Sequence, residues 1–342
     1  MNLLKAPRRV RHNDRMTYVW RSLADVPASV ESTVVTIGNF DGVHRGHQAV
    51  LANVAAIAEA RGATSVAVTF DPHPKAVHTP DHSPELVTGL DDRVERIVAT
   101  GVDAVLVQHY TLEFAMQTAE EFAREFLVKG LRAAVVVVGR DTRFGRGNAG
   151  DVDTMRALGE ALGFEVEVID DAAGELEGKR RWSSTWVREL LEAGDMRGAA
   201  EVLGRPHRLR GSVVHGDQIG REIGFPTANV AVSGGYIPRH GVYAAWMRVV
   251  DARGVEGADA LVGVPLPSAL SLGINYTVGG TELRVEAHVF DRTGLNLYGT
   301  EVVLDLIEWR RPMFDFGGME ALIQALSDDV VWCREVLGLP PA

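Results

Sequence analysis

Gly38-Asn39-Phe40-Asp41-Gly42-Val43-His44-Arg45-Gly46-His47 is the stretch on which the fold turns. An apolar β-branched run, Thr33 to Ile37, leads into it. Gln48 to Ala60 follows, with Val50, Leu51, Val54 and Ile57 at helical spacing before Gly62 supplies a stop. The pattern predicts a strand, a glycine-rich turn and a helix start. Glycines let the backbone approach a ligand closely, and the free N–H groups and positive dipole end of a helix suit a phosphate. His44 and His47, three residues apart, share one face of the first turn. Together these features suit a triphosphate better than a hydrophobic core, and a pair of histidines with no third ligand makes a poor structural metal site.

Working outward, the pattern repeats. Ser65 to Phe70, Asp103 to Val107, Ala133 to Val138 and Phe164 to Ile169 read as strands, with helices near 90–100, 118–129 and 151–162 between them. Apolar strands alternating with amphipathic helices predict a parallel sheet covered on both faces, with ligands beyond the carboxyl ends of its strands. Three unusual polar segments fall at such ends: the opening stretch, Asp71-Pro72-His73-Pro74, and Gly139-Arg140-Asp141-Thr142-Arg143-Phe144-Gly145. One crevice is expected to collect them. A fourth segment, Glu177 to Arg188, sets Lys179, Arg180 and Arg181 ahead of Ser183-Ser184-Thr185 and a helix carrying Arg188 one turn in. In an acidic chain that is a local phosphate trap.

With 342 residues the chain has room for two domains with cores of their own. Hydrophobic residues at 46% with 24% charged describe a globular protein, and no apolar run approaches the roughly 20 residues that span a bilayer. Lys plus Arg total 35 against 46 Asp plus Glu, and the net charge of -11 argues against nonspecific nucleic-acid binding. The single cysteine, Cys333, allows no internal disulfide and no cysteine cluster for zinc, which fits a reducing, cytoplasmic setting. Residues 1–15 carry Lys5, Arg8, Arg9, Arg11 and Arg15 without the apolar segment of a secretory signal. They are expected to be a disordered, dispensable tail, with Met16 a candidate start.

Past a helix expected over 189–200 and ended by Leu203-Gly204-Arg205-Pro206, the texture changes. Short β-rich runs at Gly211 to His215, Gly241 to Val250, Leu283 to Asp291 and Glu301 to Glu308 are separated by glycine-rich turns, with little helix until Met319. This predicts a small antiparallel barrel plus a C-terminal helix. In Gly220 to Asn229, the Thr227 hydroxyl and the Asn229 amide, two residues apart and stiffened by Pro226, can share one cation with ATP phosphates. Val285-Glu286-Ala287-His288-Val289 alternates so that Glu286 and His288 share a face, which makes Glu286 either an ordinary solvent-facing residue or a general base.

The four motifs of the first half, in their order, resemble the adenylyltransferase module of the bacterial bifunctional riboflavin kinase/FAD synthetase family. Pro226-Thr227-Ala228-Asn229, Gly241-Val242-Tyr243, Val285 to His288, Leu297-Tyr298-Gly299 and Arg311-Pro312 ahead of Phe314 and Phe316 resemble its riboflavin kinase module. The resemblance covers about residues 16–335. It implies a Rossmann-like α/β nucleotidyltransferase domain with a parallel sheet at 16–190, a linker at 191–205 and a six-stranded β-barrel kinase domain with a C-terminal helix at 206–342.

It further implies a flavin-handling enzyme that makes FMN from riboflavin and then FAD from FMN, each step using ATP and Mg²⁺. Its partners are small molecules, with no nucleic acid and no membrane; oligomeric state stays open. In the transferase His44, His47 and Arg188 act on phosphates, Gly38, Phe40, Asp41, Gly42, Ser184 and Thr185 contact ATP, and Phe70, His73, Asp141 and Phe144 are flavin candidates. Asp41 equally suits a turn cap, His73 a loop-shaping role, and Phe70 and Phe144 either core or a stacking platform. In the kinase Thr227 and Asn229 bind Mg²⁺ and ATP, Glu286 accepts the hydroxyl proton, and Arg311 and Phe316 are flavin candidates.

Thr142 stands where the family usually has an aromatic, and Asn275-Tyr276-Thr277-Val278 where it favours Asn-Pro-Thr-Phe. Tyr276 and Val278 motivate a first alternative, a transferase with weakened kinase activity, which would make FAD only from added FMN. A second, a non-catalytic flavin-binding regulator, would have lost phosphate ligands, and none is lost. A fragment beginning near residue 195 is expected to phosphorylate riboflavin alone.

Overall fold

The structure is a computed structural model and describes residues 8–12, 15–169, 180–216, 220, 223–274, 283–292, 294–314 and 316–341. It divides into two compact units, Met1–Glu85 with Leu90–Ser183, and Leu86–Gly89 with Ser184–Ala342.

The first unit is a doubly wound sheet. Its strands are β1 (Arg8–His12), β2 (Arg15–Trp20), β3 (Thr33–Ile37), β4 (Thr64–Asp71), β5 (Ala104–His109), β6 (Ala133–Gly139) and β7 (Glu165–Ile169). They are ordered β1-β2-β5-β4-β3-β6-β7, all parallel except the antiparallel β1–β2 pair. The expectation of a tail through residue 15 is corrected here: Arg8–His12 pairs residue for residue with Arg15–Val19, extending the sheet edge by main-chain hydrogen bonds that composition does not reveal.

Helices α1 (Arg45–Arg61), α2 (Pro74–His78), α3 (Leu90–Val98), α4 (Leu112–Ala115), α5 (Ala119–Glu121, running on as a π-helical segment, Phe122–Gly130) and α6 (Val152–Leu162) connect the strands. Alternate strand residues go to opposite faces. Val34, Val135 and Val137 meet Val54 and Ala58 of α1, and Ala67 and Val105 meet Leu51 with Val94 and Ile97 of α3. On the other face Val35, Val66, Val68, Leu106 and Val136 meet Phe122, Phe126 and Met155. Burial on both faces is why these strands read as continuous apolar runs. The chain direction around the sheet reverses between β3 and β6, which is where such folds open a ligand crevice.

The second unit opens with α7 (Ser184–Ala193) and α8 (Met196–Leu203), separated at Gly194, whose φ of 80° a continuous helix does not accommodate. The Asp195 side chain then caps α8, accepting from the Gly198 N–H at 2.8 Å. The single helix expected over 189–200 is thus two. The segment read as a linker, 191–205, is helical over most of its length, with Leu191, Met196, Ala199, Val202 and Leu203 buried.

Strands β8 (His207–Val214), β9 (Ala228–Gly234), β10 (Gly241–Asp251), β11 (Leu266–Ile274), β12 (Leu283–Val289) and β13 (Glu301–Arg311) close an antiparallel barrel in the order β10-β11-β12-β9-β8-β13. β9 and β11 escaped the sequence reading because glycine, serine and proline interrupt their alternation. The C-terminal helix α9 (Met319–Val336) lays Cys333 against Ala244 and Ala269, paired alanines of β10 and β11 that leave room for it.

Two candidate active sites

At the end of β3 the backbone turns in a way few residues favour. Phe40 (φ 48°) and Val43 (φ 40°) are left-handed, as is Gly42 (φ 76°). A non-glycine residue held there stores of order 1–3 kcal/mol, which persists only where the surroundings enforce it. A Cβ at Gly38 would lie 3.0 Å from the Phe40 ring, so the aromatic fold-back requires the glycine. Phe40 and Asp41, two of the expected ATP contacts, are 4% and 3% exposed.

The turn delivers His44 as the N-cap of α1. Its Nδ1 accepts from the His47 N–H at 3.4 Å, which puts the proton of a neutral His44 on Nε2. The two rings stack with centroids 3.7 Å apart and 20° between planes, and the Phe40 ring stands edge-on to His47 at 5.3 Å. Gly46 is needed at this point, because a Cβ there would lie 3.2 Å from the His44 ring. Burial, then the charges of His44 and Arg181, holds His47 well below its ordinary value of 6.5. Its Nδ1 is buried with no hydrogen-bond partner among the described residues.

Beside this turn lies a cleft between the ends of β3, β4 and β6. Gly38 and Asn39, Phe70 and Pro74, and Thr142 to Gly145 line it, so all three expected segments reach one crevice. Phe70 stands edge-on to Tyr110 at 5.3 Å and 6.1 Å from Phe114, and His78 Nε2 lies 2.9 Å from the Tyr110 hydroxyl. Phe70 and Phe144 are half-buried, packing on the core on one side and lining the cleft on the other. Sequence reading passed over Tyr110 and Phe114; their signal was an aromatic at each end of a short Tyr-Thr-Leu-Glu-Phe turn directly after a strand.

His44, His47, His73 and Asp141 are not among the lining residues of that cleft. His73 caps α2, its Nδ1 accepting from the Lys75 N–H at 3.1 Å, which is the loop-shaping role. Asp141 pairs with Arg181 at 3.3 Å in the open. In the second unit, Ser184 and Thr185 begin α7 and Arg188 follows one turn later. Lys179 lies outside the described residues, as do Arg221, Glu222 and Asn275 to Val278.

The barrel carries the other site. Along β12 the burial alternates, with Val285, Ala287 and Val289 inside and Arg284, Glu286 and His288 on the opposite face. Glu286 sits directly across from Asn229 of β9, so the carboxylate and the amide leave neighbouring strands on one side, with Cβ atoms about 5 Å apart. Thr227 precedes β9. Its loop is tied down where His288 Nδ1 meets the Pro226 carbonyl at 2.8 Å and the Phe225 N–H donates to the Gly220 carbonyl at 2.7 Å. A Cβ at Gly216 would fall on the Asn229 amide, and one at Gly220 would strike the Phe225 carbonyl and lie 3.6 Å from Thr227 Oγ1. These glycines leave open the space beside the Asn229 amide and the Thr227 loop that a side chain would fill.

Thr227, Asn229, Glu286, Arg311 and Phe316 all line one cavity, closed on its far side by Leu322, Leu326 and Val330 of α9. Asp329 of α9, 1% exposed, grips Arg311 with both oxygens at 3.0 and 2.5 Å and takes Arg310 at 3.1 Å. The Arg311 guanidinium is thereby fixed over the Phe316 ring, 5.1 Å from its centroid. Sequence reading missed Asp329 because its partners lie on a strand 18 residues upstream. A second cleft opens on the other side of Thr227, lined by Arg292, Leu295 and Tyr298, with Tyr298 stacked on His215 at 3.9 Å.

A glycine-rich turn bearing two stacked histidines at the switch point of a doubly wound sheet, joined in one chain to a barrel with a carboxylate facing a Thr–Asn pair, fits a two-activity nucleotide-dependent transferase. The FAD synthetase family matches residues 26–185 and the riboflavin kinase family residues 203–337. The chain is 36% identical over 312 residues to the bifunctional riboflavin kinase/FMN adenylyltransferase of Escherichia coli (strain K12), covering 91% of this chain and 95% of that one. Against the enzyme of the same name from Pseudomonas fluorescens it is 35% identical, covering 94% and 98%. A crystal structure titled macrolide-efflux protein, from Streptococcus pneumoniae, superposes with a TM-score of 0.77 at 27% identity, covering 93% and 98%. No helix among the described residues is long and apolar enough to cross a membrane. The chain belongs to the bifunctional riboflavin kinase/FMN adenylyltransferase family. It phosphorylates riboflavin to FMN in the barrel and joins FMN to the AMP of ATP in the doubly wound unit, giving FAD and pyrophosphate.

Proposed function

We propose the following division of labour among the residues. In the barrel the riboflavin 5'-hydroxyl gives its proton to Glu286 as its oxygen attacks the γ-phosphorus of ATP, and ADP leaves. A carboxylate with an unperturbed pKa near 4.3 is a weak base, so placement of hydroxyl and phosphate carries most of the barrier reduction. The flavin ring occupies the apolar cavity against Phe316 and α9, and the nucleotide the cleft beyond Thr227, where Arg292 and Tyr298 offer a cation and an aromatic edge. Thr227 and Asn229 hold Mg²⁺, a fit supported by their hard oxygen donors, by Glu286 opposite, and by the room that Gly216 and Gly220 leave. When bound, the ion neutralises phosphate charge.

In the doubly wound unit an FMN phosphate oxygen attacks the α-phosphorus in line and pyrophosphate departs. No side chain acts as nucleophile; the work is positioning and charge. His44 and His47 donate to the phosphates, with Gly38 and Gly42 admitting them close to the backbone. Ser184, Thr185 and Arg188, at the start of α7, keep the phosphate-contacting role read from the sequence. Phe70, Tyr110 and Phe144 receive the flavin, with Asp141 at the rim. We further propose a cytoplasmic flavoenzyme, on the strength of the single, buried Cys333.

The observation that carries the proposal is the convergence of five separated residues, Thr227, Asn229, Glu286, Arg311 and Phe316, on one cavity. Incubation of the full chain with riboflavin, ATP and Mg²⁺, with flavins resolved by chromatography, tests it. FMN then FAD is expected, and neither FMN nor FAD from Glu286→Gln; parental FMN formation by that variant would overturn the base assignment.

A further inference from the structure

The left-handed turn is held by side chains that lie outside the reacting groups. The Asn39 carbonyl, immediately before Phe40, accepts from Thr69 Oγ1 at 3.0 Å and from Arg93 Nη1 at 3.2 Å. The other arm of the same guanidinium, Nη2, donates to the Phe70 carbonyl at 3.0 Å. At the far end of the turn, Gln48 Nε2 donates to the Val43 carbonyl at 2.8 Å. Both left-handed non-glycine residues of the turn, Phe40 and Val43, therefore have a carbonyl next to them or on them pinned by a side chain.

Arg93 comes from α3 and is 0% exposed. An arginine is expensive to bury, and the charges that face this one are Asp41 of the turn and Asp71 at the end of β4. A core position on an amphipathic helix would be filled more cheaply by leucine. What the guanidinium supplies and leucine cannot is two donors in a rigid fork, one for the phosphate turn and one for the strand end bearing Phe70. The fork spans the two places where ATP and flavin must be brought into line.

We propose that Arg93, seconded by Thr69, is a positioning residue for adenylyl transfer, holding the Asn39 and Phe70 carbonyls so that the phosphate turn and the flavin platform keep one mutual geometry. This rests on the reading of His44 and His47 as phosphate ligands. Neither Arg93 nor Thr69 touches substrate in this account. Their loss alters how well bound ATP and FMN are aligned, so kcat falls more than either KM rises.

The test uses the full chain, whose kinase reaction serves as an internal standard. Arg93→Met, similar in length but without donors, should lower kcat for FMN to FAD by about 10- to 100-fold while KM for ATP changes by less than about threefold. Arg93→Lys, able to reach one carbonyl, should recover part of the loss. Thr69→Val, which keeps shape and removes one donor, should cost about threefold in kcat. The rate of FMN formation stays parental in all three. Parental kcat for FAD formation in folded Arg93→Met overturns the proposal; should that variant not fold, parental kcat in Thr69→Val does so instead. A drop in melting temperature with kcat intact shows a merely structural arginine and overturns it equally. His44→Ala assayed alongside separates the two ideas: if it makes FAD at the parental rate, the phosphate-ligand reading itself is at fault.

Discussion

The two sites of this chain are built by opposite means. The transferase turn gathers its groups in ten consecutive residues, bent through left-handed backbone and pinned by Thr69, Arg93 and Gln48. The kinase cavity gathers single residues from β9, β12, β13 and α9, each held by ordinary strand register or by a side-chain clamp such as Asp329 on Arg311. In the first, local sequence carries the chemistry and distant residues impose the shape. In the second, the shape comes from the barrel and the chemistry is spread along the chain. Polar groups that must meet a polyphosphate can be supplied either way, but the two are vulnerable to different substitutions.

The largest expected effects test whether the sites are separate. Glu286→Gln should lower FMN formation by about 10²- to 10⁴-fold and leave FMN-to-FAD conversion untouched, and the double variant His44→Ala/His47→Ala should do the reverse. Parallel loss of both reactions in either variant would break the comparison. Next, Asp329→Ala strands two arginines and should destabilise the barrel by about 3 kcal/mol in urea unfolding, with a raised KM for riboflavin. A rise in KM for ATP instead would place Arg311 on the wrong substrate.

Smaller effects sharpen the picture. Gly216→Ala pushes the Asn229 amide aside and should weaken the Mg²⁺ dependence of FMN formation about tenfold, read as the metal concentration at half-maximal rate. The smallest is a pH effect on the first unit. His47 is held below 6.5 in the folded state, chiefly by burial, so the unfolded chain binds more protons as the pH falls below that value, and stability declines with it. Melting temperatures between pH 7 and pH 5 should fall less in His47→Gln than in the parent; identical slopes would show that His47 is not the group responsible.

The same contrast explains what the sequence discloses. Gly38 to His47 is legible because strand, turn and helix start follow one another, and β12 because its alternation survives intact. Thr227 and Asn229 are legible as a pair, two residues apart. What is not legible is set by register and by distance: the pairing of Arg8–His12, the glycine-broken β9 and β11, the helix break at Gly194, and the reach of Arg93 to carbonyls 54 and 23 residues away. Backbone carbonyls carry no side-chain signature, so a residue whose task is to hold them looks like any polar residue on a helix. Asp329 hides for the same reason.

The last helix has a consequence for how the enzyme can be handled. Leu322, Leu326, Asp329, Val330 and Cys333 fall on one stripe of α9, and that single stripe both closes the kinase cavity and seals the barrel wall at Ala244 and Ala269. A substitution that loosens this stripe, such as Leu326→Ala, is expected to raise KM for riboflavin more than KM for ATP. Helix α9 is thus the element through which the first step alone is expected to be detuned.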